Sequence, residues 1–432
     1  MKPACFLLVA GAKFCEGVAT MELSAQERRD ITYRNEKWRA VSTGIWETAG
    51  QTFLLLIAVR FFDAGATAKA AIAAGNSLGL VLTLLTVSVV AHRGWNTSRA
   101  ASWLMLVAMG AMGWAAVMPS LPVFIVCSVI ALASVTMAVP LFTQIYQDNY
   151  PSSERGRLFS RTVSIRIGVA IVCSYLLGEA LSGDHIRRFP LLLLVYAAAH
   201  AGAAYWISRC PSQPLTQAGG THPWRSFRFV KEDRVFRLTL ICWMLMGIAN
   251  LMMMPLRVEY LANERYGLKL ETATVALLVG VIPNIARLVM SPVWGWVFDR
   301  MNFFALRAVL NIGFAVSILA FFTSNSMAGL VTGAVLFGIS NAGGDVAWSL
   351  WVTKFAPPDR VADYMSMHTF LTGLRGLVAP FAAFYLLGVF SVATLGWICA
   401  ALIVLASVIL VREIAAGKSP DVGTELVKEG TK

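Results

Sequence analysis

Apolar residues run through the chain in blocks about as long as a bilayer crossing, each closed by a short polar strip. The first group covers Val41 to Phe62, Ala70 to Ala91, Ala100 to Met118, Val123 to Ile145, Thr162 to Leu181 and Phe189 to Ile207. The second covers Leu238 to Met254, Ala273 to Phe298, Ala308 to Phe322, Gly329 to Val352, Met365 to Phe390 and Val392 to Val411. A hydrocarbon core about 30 Å thick takes about 20 helical residues. Inside it every backbone N–H and C=O must be bonded within its own segment, which makes helices of such blocks. The pattern predicts an all-α integral membrane protein with 12 transmembrane helices. Between the two groups lie the Pro-, Gln- and Gly-bearing CPSQPLTQAGGTHPW and the charged RSFRFVKEDR, the composition of a linker. The expected organisation is an N-terminal extension (1–40), a six-helix half (41–208), a linker (209–237), a second six-helix half (238–411) and a tail (412–432).

Composition agrees and narrows the function. Of 432 residues, 57% are hydrophobic and 14% charged, against roughly 45–50% and about 25% in soluble domains. A net charge of +12 would suit nucleic acid, yet no basic stretch is interleaved with aromatics on a soluble module, so no such partner is expected. From Met21 onward, 24 Lys and Arg lie in segments that share a side with the termini. Six lie in the opposite loops: Lys69, Arg187, Arg188, Arg257, Arg265 and Lys269. By the positive-inside rule both termini are expected to be cytoplasmic, in an inner or plasma membrane, and most of the excess charge is a topology signal. The opening MKPACFLLVAGAKFCEGVAT is a poor secretory leader. Cleavage after it would strand ERRDITYRNEKWR on the wrong side, and no small-x-small site closes it. A weakly amphipathic extension, or a start at Met21, is expected instead. Seven scattered cysteines and five histidines lack CxxC or HExxH spacing, so neither a disulfide framework nor a metal site is expected. No cofactor is expected either.

Aligned with itself, the chain matches at an offset of about 205 to 209 residues, the mark of a duplicated unit. SVVAHRGWNTSR corresponds to GWVFDRMNFFALR, which places His92 opposite Asp299 and Arg93 opposite Arg300. NYPSSERGR corresponds to KFAPPDRVAD, with Glu154-Arg155 opposite Asp359-Arg360, and IRIGVAIVCSYLLG to LRGLVAPFAAFYLL, with Arg166 opposite Arg375. Two such halves, a central linker and this loop pattern resemble the major facilitator superfamily from about Trp38 to Arg412. GWVFDRMNFFALR is similar to that superfamily's Gly-x-x-x-Asp-Arg loop; the first-half copy departs from it, with Ser88 for Gly and His92 for Asp. The resemblance implies two pseudo-symmetric halves that rock to expose a central site to each side in turn. It also implies a cytoplasmic gate of Arg93, Glu154, Arg155, Gly295, Asp299, Arg300, Asp359 and Arg360, with Gly295 permitting close helix approach. The other reading of these charges is a set of solvated loops obeying the positive-inside rule.

An ionisable group at mid-bilayer costs at least about 2.5–3.5 kcal/mol and marks function. Glu47, Arg166, Arg287, Asp345 and Arg375 lie inside the blocks, and by the resemblance their helices line or flank a central cavity. At about 1.5 Å per residue, Glu47 and Arg166 reach matching depths, as do Arg287 and Asp345, so two pairs are expected. Arg375, nearer the middle, is the strongest candidate to hold substrate. The alternative for each Arg is a structural salt bridge or a side chain snorkelling to the interface. Gln51, Asn250, Asn284 and Asn341 add polar groups suited to a solute or to interhelical bonds. Pro140, Pro255, Pro283, Pro292 and Pro380 should bend or break their helices. Three arginines against two acids leave the site mildly positive, which suits a carboxylate or phosphate gripped by a guanidinium fork. A titrating Glu47 or Asp345 would couple transport to protons, and a permanent ion pair would not.

No GxxxxGK[ST] occurs, so a gradient rather than this chain's own ATP hydrolysis must drive any transport. The expectation is a monomeric secondary transporter in the lipid bilayer, not an enzyme, carrying a small polar, anionic solute with a proton as coupling ion. Two alternatives remain. One is proton-coupled multidrug efflux, although CSVIALASVTMAVPLF lacks the buried Arg, and GVAIVCSYLLG the Gly-Pro pair, of the superfamily's drug antiporters. The other is a membrane sensor or scaffold that keeps the fold without flux.

Overall fold

The computed structural model describes residues 23–215, 223–268, 270–350 and 361–415. Twelve helical spans follow the twelve apolar blocks. Span 1 starts well before its block. Ser24 caps it in a reciprocal box with Glu27, Glu27 N–H donating to Ser24 Oγ at 3.2 Å and Ser24 N–H to Glu27 Oε2 at 2.8 Å. The Ser24 N–H and hydroxyl hold the Glu27 carboxyl below its usual range, the favourable sign at a helix N-terminus. From there Ala25–Thr48 passes through a π-helical turn, Ala49–Phe53, into Leu54–Arg60. Spans 2 to 6 are Ala66–His92, Thr97–Val117, Leu121–Met137 with Val139–Asn149, Ser152–Ala180 and Phe189–Ser208. A short helix, Pro223–Glu232, precedes span 7, Arg234–Ala262. Span 8 joins Thr272–Ala276, a second π turn Leu277–Val281 and Ile282–Arg300. Spans 9 to 12 are Phe303–Thr323, Met327–Leu350, Val361–Leu386 and Val392–Ala415. Among the described residues ten helices are long and apolar enough to cross a bilayer, and span 2, bent by 44° beyond Thr83, makes an eleventh. Span 1 is divided by its π turn and polar through its first half, which keeps it off that count.

Packing repeats what the sequence repeats. In the first half span 1 packs on spans 5 and 6, span 2 on span 4, and span 3 on spans 4 and 6. In the second half span 7 packs on spans 11 and 12, span 8 on span 10, and span 9 on spans 10 and 12, so each pairing recurs six spans later. The halves meet along two seams, span 2 with span 11 and span 5 with span 8, and where the end of span 1 touches span 7. Small residues set the seam distance. A methyl at Gly178 of span 5 would fall 2.7 Å from Ala276 Cβ of span 8, and one at Gly376 of span 11 would overlap the Ser77 hydroxyl of span 2. In lipid no hydrophobic force draws helices together, so such close approach supplies the contact energy. Gly376→Val is therefore expected to wedge the seam at a cost of about 1–3 kcal/mol. Gly156→Ala, where an added carbon meets nothing within 4 Å, should leave stability unchanged or slightly raised; thermal unfolding of both variants checks this.

Three sequence expectations change. Pro140 follows the break of span 4 at Ala138 and Pro283 opens the last segment of span 8, but Pro255, Pro292 and Pro380 sit inside continuous helices. Neighbouring helices can satisfy the backbone groups such prolines free. Span 7 continues past Met254, so Arg257, read as a loop charge, is helical and buried, as is Glu259. The boundary at position 41 falls inside span 1, because the polar extension from Ala25 is one helix with it.

Candidate functional site

A cavity of about 400 Å³ lies between the halves, walled by spans 1, 2, 4 and 5 on one side and 7, 8, 10 and 11 on the other. Of the residues nominated from sequence, Glu47, Gln51, Arg166, Asn284, Arg287 and Asn341 line it. Glu47 sits between two guanidinium groups from opposite halves. Arg166 Nε lies 3.0 Å from Glu47 Oε2 and Arg287 Nη1 3.6 Å from Oε1. The Arg166 contact is an ion pair without hydrogen-bond alignment, so the carboxylate is attracted by both arginines and locked by neither. Gln51 Nε2 donates to Glu47 Oε1 at 3.0 Å from one turn further along span 1. Arg287 in turn donates through Nε to Asp345 Oδ2 at 2.7 Å. The expected pairs, Glu47 with Arg166 and Arg287 with Asp345, are thus joined into one chain across the interface.

Two π turns place the polar bridge beside it. Gln51 stands in the turn Ala49–Phe53 and Gly280 in the turn Leu277–Val281, and the two turns touch. Asn284 Nδ2 donates to Gln51 Oε1 at 3.0 Å and to Gly280 O at 2.8 Å. A π turn inserts a residue into the ladder and leaves a carbonyl short of its usual donor, a common device at functional sites. Here the Asn284 amide bonds a carbonyl of the second turn and the Gln51 side chain of the first, and so ties the halves together.

Beyond the cavity, at the end away from the described termini, the halves are closed by polar contacts. Lys69 Nζ of span 2 lies 2.8 Å from Glu259 Oε1 of span 7, with side chains 9% and 1% exposed. Arg60, at the end of span 1, donates to Ala262 O at 3.3 Å, to Thr272 Oγ1 at 2.8 Å and to Leu270 O. Thr67 and Tyr385 hydroxyls meet at 2.7 Å, and Ala273 N–H donates to Ser182 Oγ at 3.0 Å. Toward the terminus side, a carbon added at Gly156, Gly168 or Gly295 would meet nothing within 4 Å. A recess of about 20 Å³ shares Thr43 and Arg166 with the cavity and leads that way, toward Arg39.

Other nominated residues fall elsewhere. Arg375 is turned away from the cavity into the second half, where it donates through Nη1 to Trp243 O and packs on Gly247, whose missing side chain admits the guanidinium. The Arg307 guanidinium of span 9 lies 3.8 Å from the Trp243 ring centroid and that of Arg375 5.9 Å from it. Asn250 is half-buried outside the lining, and Asp345, 48% exposed, reaches the network through Arg287. Among the gate candidates, Glu154 accepts from Arg29 at 2.9 Å and Arg157 at 2.6 Å, and Arg155 donates to Gln147 O and Tyr150 O, all within the first half. Arg93 lies over Trp95, and Arg300 over Trp296, each on its own loop or helix. Gly295 makes no close approach, and the backbone of Asp299 lies in the last turn of span 8. Asp359 and Arg360 lie outside the described residues. Sequence reading missed Arg257, which lines the cavity, and the Lys69–Glu259 pair. Blocks that end at Met254 and start at Ala70 leave Arg257, Glu259 and Lys69 outside the apolar segments. The repeat offset offered no signal.

No curated protein matches the chain in sequence. Among solved structures the chain is similar to the nucleoside transporter NupG, with a TM-score of 0.70 and 12% identity over 89% of this chain and 99% of that one. A D-xylose-proton symporter gives 0.62 and 16%, over 89% and 95%. The human organic anion transporter MFSD10 gives 0.62 and 13%, over 90% and 100%. At such identities the likeness is one of fold. The family model described as Major Facilitator Superfamily matches residues 41–310 and again 272–430. Together these matches span both halves and their linker, and the chain belongs to the Major Facilitator Superfamily.

Proposed function

We propose that the chain, a multi-pass membrane transporter rather than an enzyme, carries a small polar, anionic solute by alternating access, with a proton as coupling ion. The observation that carries this reading is Glu47 held between Arg166 of one half and Arg287 of the other in the cavity wall. Protonating Glu47 would remove its attraction for both arginines, and a bound anion would offer those arginines a substitute partner, so either event changes the force between the halves. A ligand shifts such an equilibrium only by its difference in affinity for the two states, and a carboxylate shared across the interface supplies that difference. The cavity lining carries Arg166, Arg257 and Arg287 against Glu47 alone, which favours anions over the lipophilic cations of a drug exporter. With both termini cytoplasmic, the contacts that close the far side favour the inward-facing arrangement of a monomer in the inner or plasma membrane. Closing the terminus side would bring Arg93, Glu154, Arg155, Gly295, Asp299, Arg300, Asp359 and Arg360 together as the gate.

The test is proton movement driven by solute. Protein reconstituted in vesicles with a trapped pH dye is challenged with anionic and neutral solutes, and wild type is compared with Glu47→Gln. Solute-dependent proton flux in wild type, lost at least tenfold in Glu47→Gln, is expected. Unchanged proton flux in that variant removes Glu47 from coupling, and a wild type that moves neither solute nor protons leaves the sensor reading.

A further inference from the structure

Building on the anion-transport reading above, we propose that Arg257 is the substrate anchor, and that it takes the carboxylate of a small monocarboxylate with an apolar body. Arg257 is 3% exposed yet lines the cavity, at the end nearest the far-side contacts. Its guanidinium lies 3.4 Å from the Phe337 ring centroid and 5.4 Å from that of Phe321. Its hydrogen bond is a long one, Nη2 to Ser317 Oγ at 3.3 Å, and Nε has no partner. Among the described residues it forms no ion pair. The nearby carboxylates are taken: Glu47 by Arg166 and Arg287, Asp345 by Arg287, and Glu259 by Lys69 and Asn263.

A buried charge without a counter-ion costs stability. An aromatic ring under the guanidinium offsets part of this, and stacking holds the plane still while leaving the N–H edge free for a planar, two-oxygen acceptor. One uncompensated positive charge matches one negative charge, so a monoanion balances the site where a dianion would overshoot. The lining combines apolar Ile72, Leu251, Met254, Val279 and Phe337 with the amides of Asn76 and Asn341, which gives a hydrocarbon or aromatic body a surface to pack on. Arg257 also lies two residues before Glu259 on the turn that follows Pro255. An anion drawn to Arg257 therefore pulls on the same helix end that forms the far-side ion pair.

The experiment is thermal unfolding of the purified full chain with acetate, hexanoate, benzoate and phenylacetate, each beside its primary amide at equal concentration. Wild type, Arg257→Met and Arg257→Lys are compared. Only a ligand that prefers the folded state raises Tm. At least one carboxylate is expected to raise Tm where its amide does not, with apparent affinity weakened tenfold or more in Arg257→Met. Without ligand, Arg257→Met is expected to unfold at or above the wild-type temperature, because it removes an unpaired buried charge. If that variant does not purify, Arg257→Lys decides: the charge stays, the fork is lost, and carboxylate affinity falls at least threefold. Equal or absent shifts for acids and amides in wild type overturn the proposal, as does an undiminished carboxylate preference in either variant. Neutral solutes that drive proton flux through an intact Glu47 would sink the carboxylate assignment alone; absence of any solute-driven flux sinks the transport reading.

Discussion

Lys69→Ala is expected to turn the cavity toward the far side. The Lys69 ammonium and Glu259 carboxylate, 2.8 Å apart and almost fully buried, bridge the two halves. With Lys69 gone, Glu259 keeps, among the described residues, only the Asn263 amide, at 2.8 Å. Removing one partner of a buried ion pair costs about 3–5 kcal/mol, because the other charge is left desolvated. That cost falls on the far-closed arrangement alone: when the halves part at that end, water reaches Glu259. At about 1.4 kcal/mol per factor of ten, the equilibrium should shift a hundredfold or more toward the far-open state. The remaining contacts there, Arg60 on Ala262, Leu270 and Thr272, the Thr67–Tyr385 hydroxyl pair and Ala273 N–H on Ser182, involve one charge or none and oppose the shift only in part. A cysteine at Asn76, in the cavity wall, placed in a chain cleared of its native cysteines, reports the change. An impermeant maleimide should reach it from the terminus side in the parent and at least tenfold faster than the parent from the far side in Lys69→Ala. The exchanged pair, Lys69→Glu with Glu259→Lys, should restore the parent pattern. Accessibility that stays unchanged in Lys69→Ala would mean that the glycine-lined seams, not the ion pair, hold the far side closed.

How much of this was legible in the sequence depends on which coordinate of a helix is asked for. Position along the axis was readable. Block lengths fixed the twelve spans, and the repeat anticipated that the two halves would use the same pairings. Matching depth correctly put Glu47 beside Arg166 and Arg287 beside Asp345. Rotation about the axis was not readable, because cavity face and core face both carry polar residues. Gly376 lines the cavity while Arg375, about 100° further round the helix, points at Trp243 and Gly247. Leu251 lines it and Asn250 does not, for the same reason. Helix ends were hidden by a different effect. Hydropathy treats a charge as the start of water, but Arg257 is covered by Phe337 and Glu259 by Lys69, so span 7 keeps both inside. The two π turns gave no sequence signal at all, although glycines at positions 50 and 280 sit in them.

The largest loss of stability is expected from Glu36→Ala. Glu36 is fully buried where the polar start of span 1 crosses the second segment of span 4. Arg39 grips it with both nitrogens, Nε to Oε1 and Nη2 to Oε2, each at 2.7 Å, and the Tyr146 hydroxyl donates to Oε2 at 2.6 Å. Arg39 Nη2 also donates to the Tyr146 oxygen at 2.8 Å, and its guanidinium lies 4.3 Å from the Phe142 ring centroid. Every member of this cluster is bonded to another, the condition under which buried polar groups are stabilising rather than costly. Glu36→Ala strips Arg39 of its carboxylate and Tyr146 of its acceptor, a loss of about 3–5 kcal/mol. Thermal unfolding should show a fall of several degrees for Glu36→Ala and for Arg39→Ala, and a smaller one for Glu36→Gln, which keeps the shape and one acceptor. Glu36→Met with Arg39→Met should lose less than either alanine change, since an apolar pair leaves no charge unpaired. The cluster matters to the site because it pins span 1 to span 4 about three turns before Glu47. Span 1 then travels with its own half, and the strain of any rocking is delivered to the Glu47–Arg287 contact between halves. If the double methionine variant proved as unstable as the single alanines, shape rather than charge pairing would be what holds span 1 there.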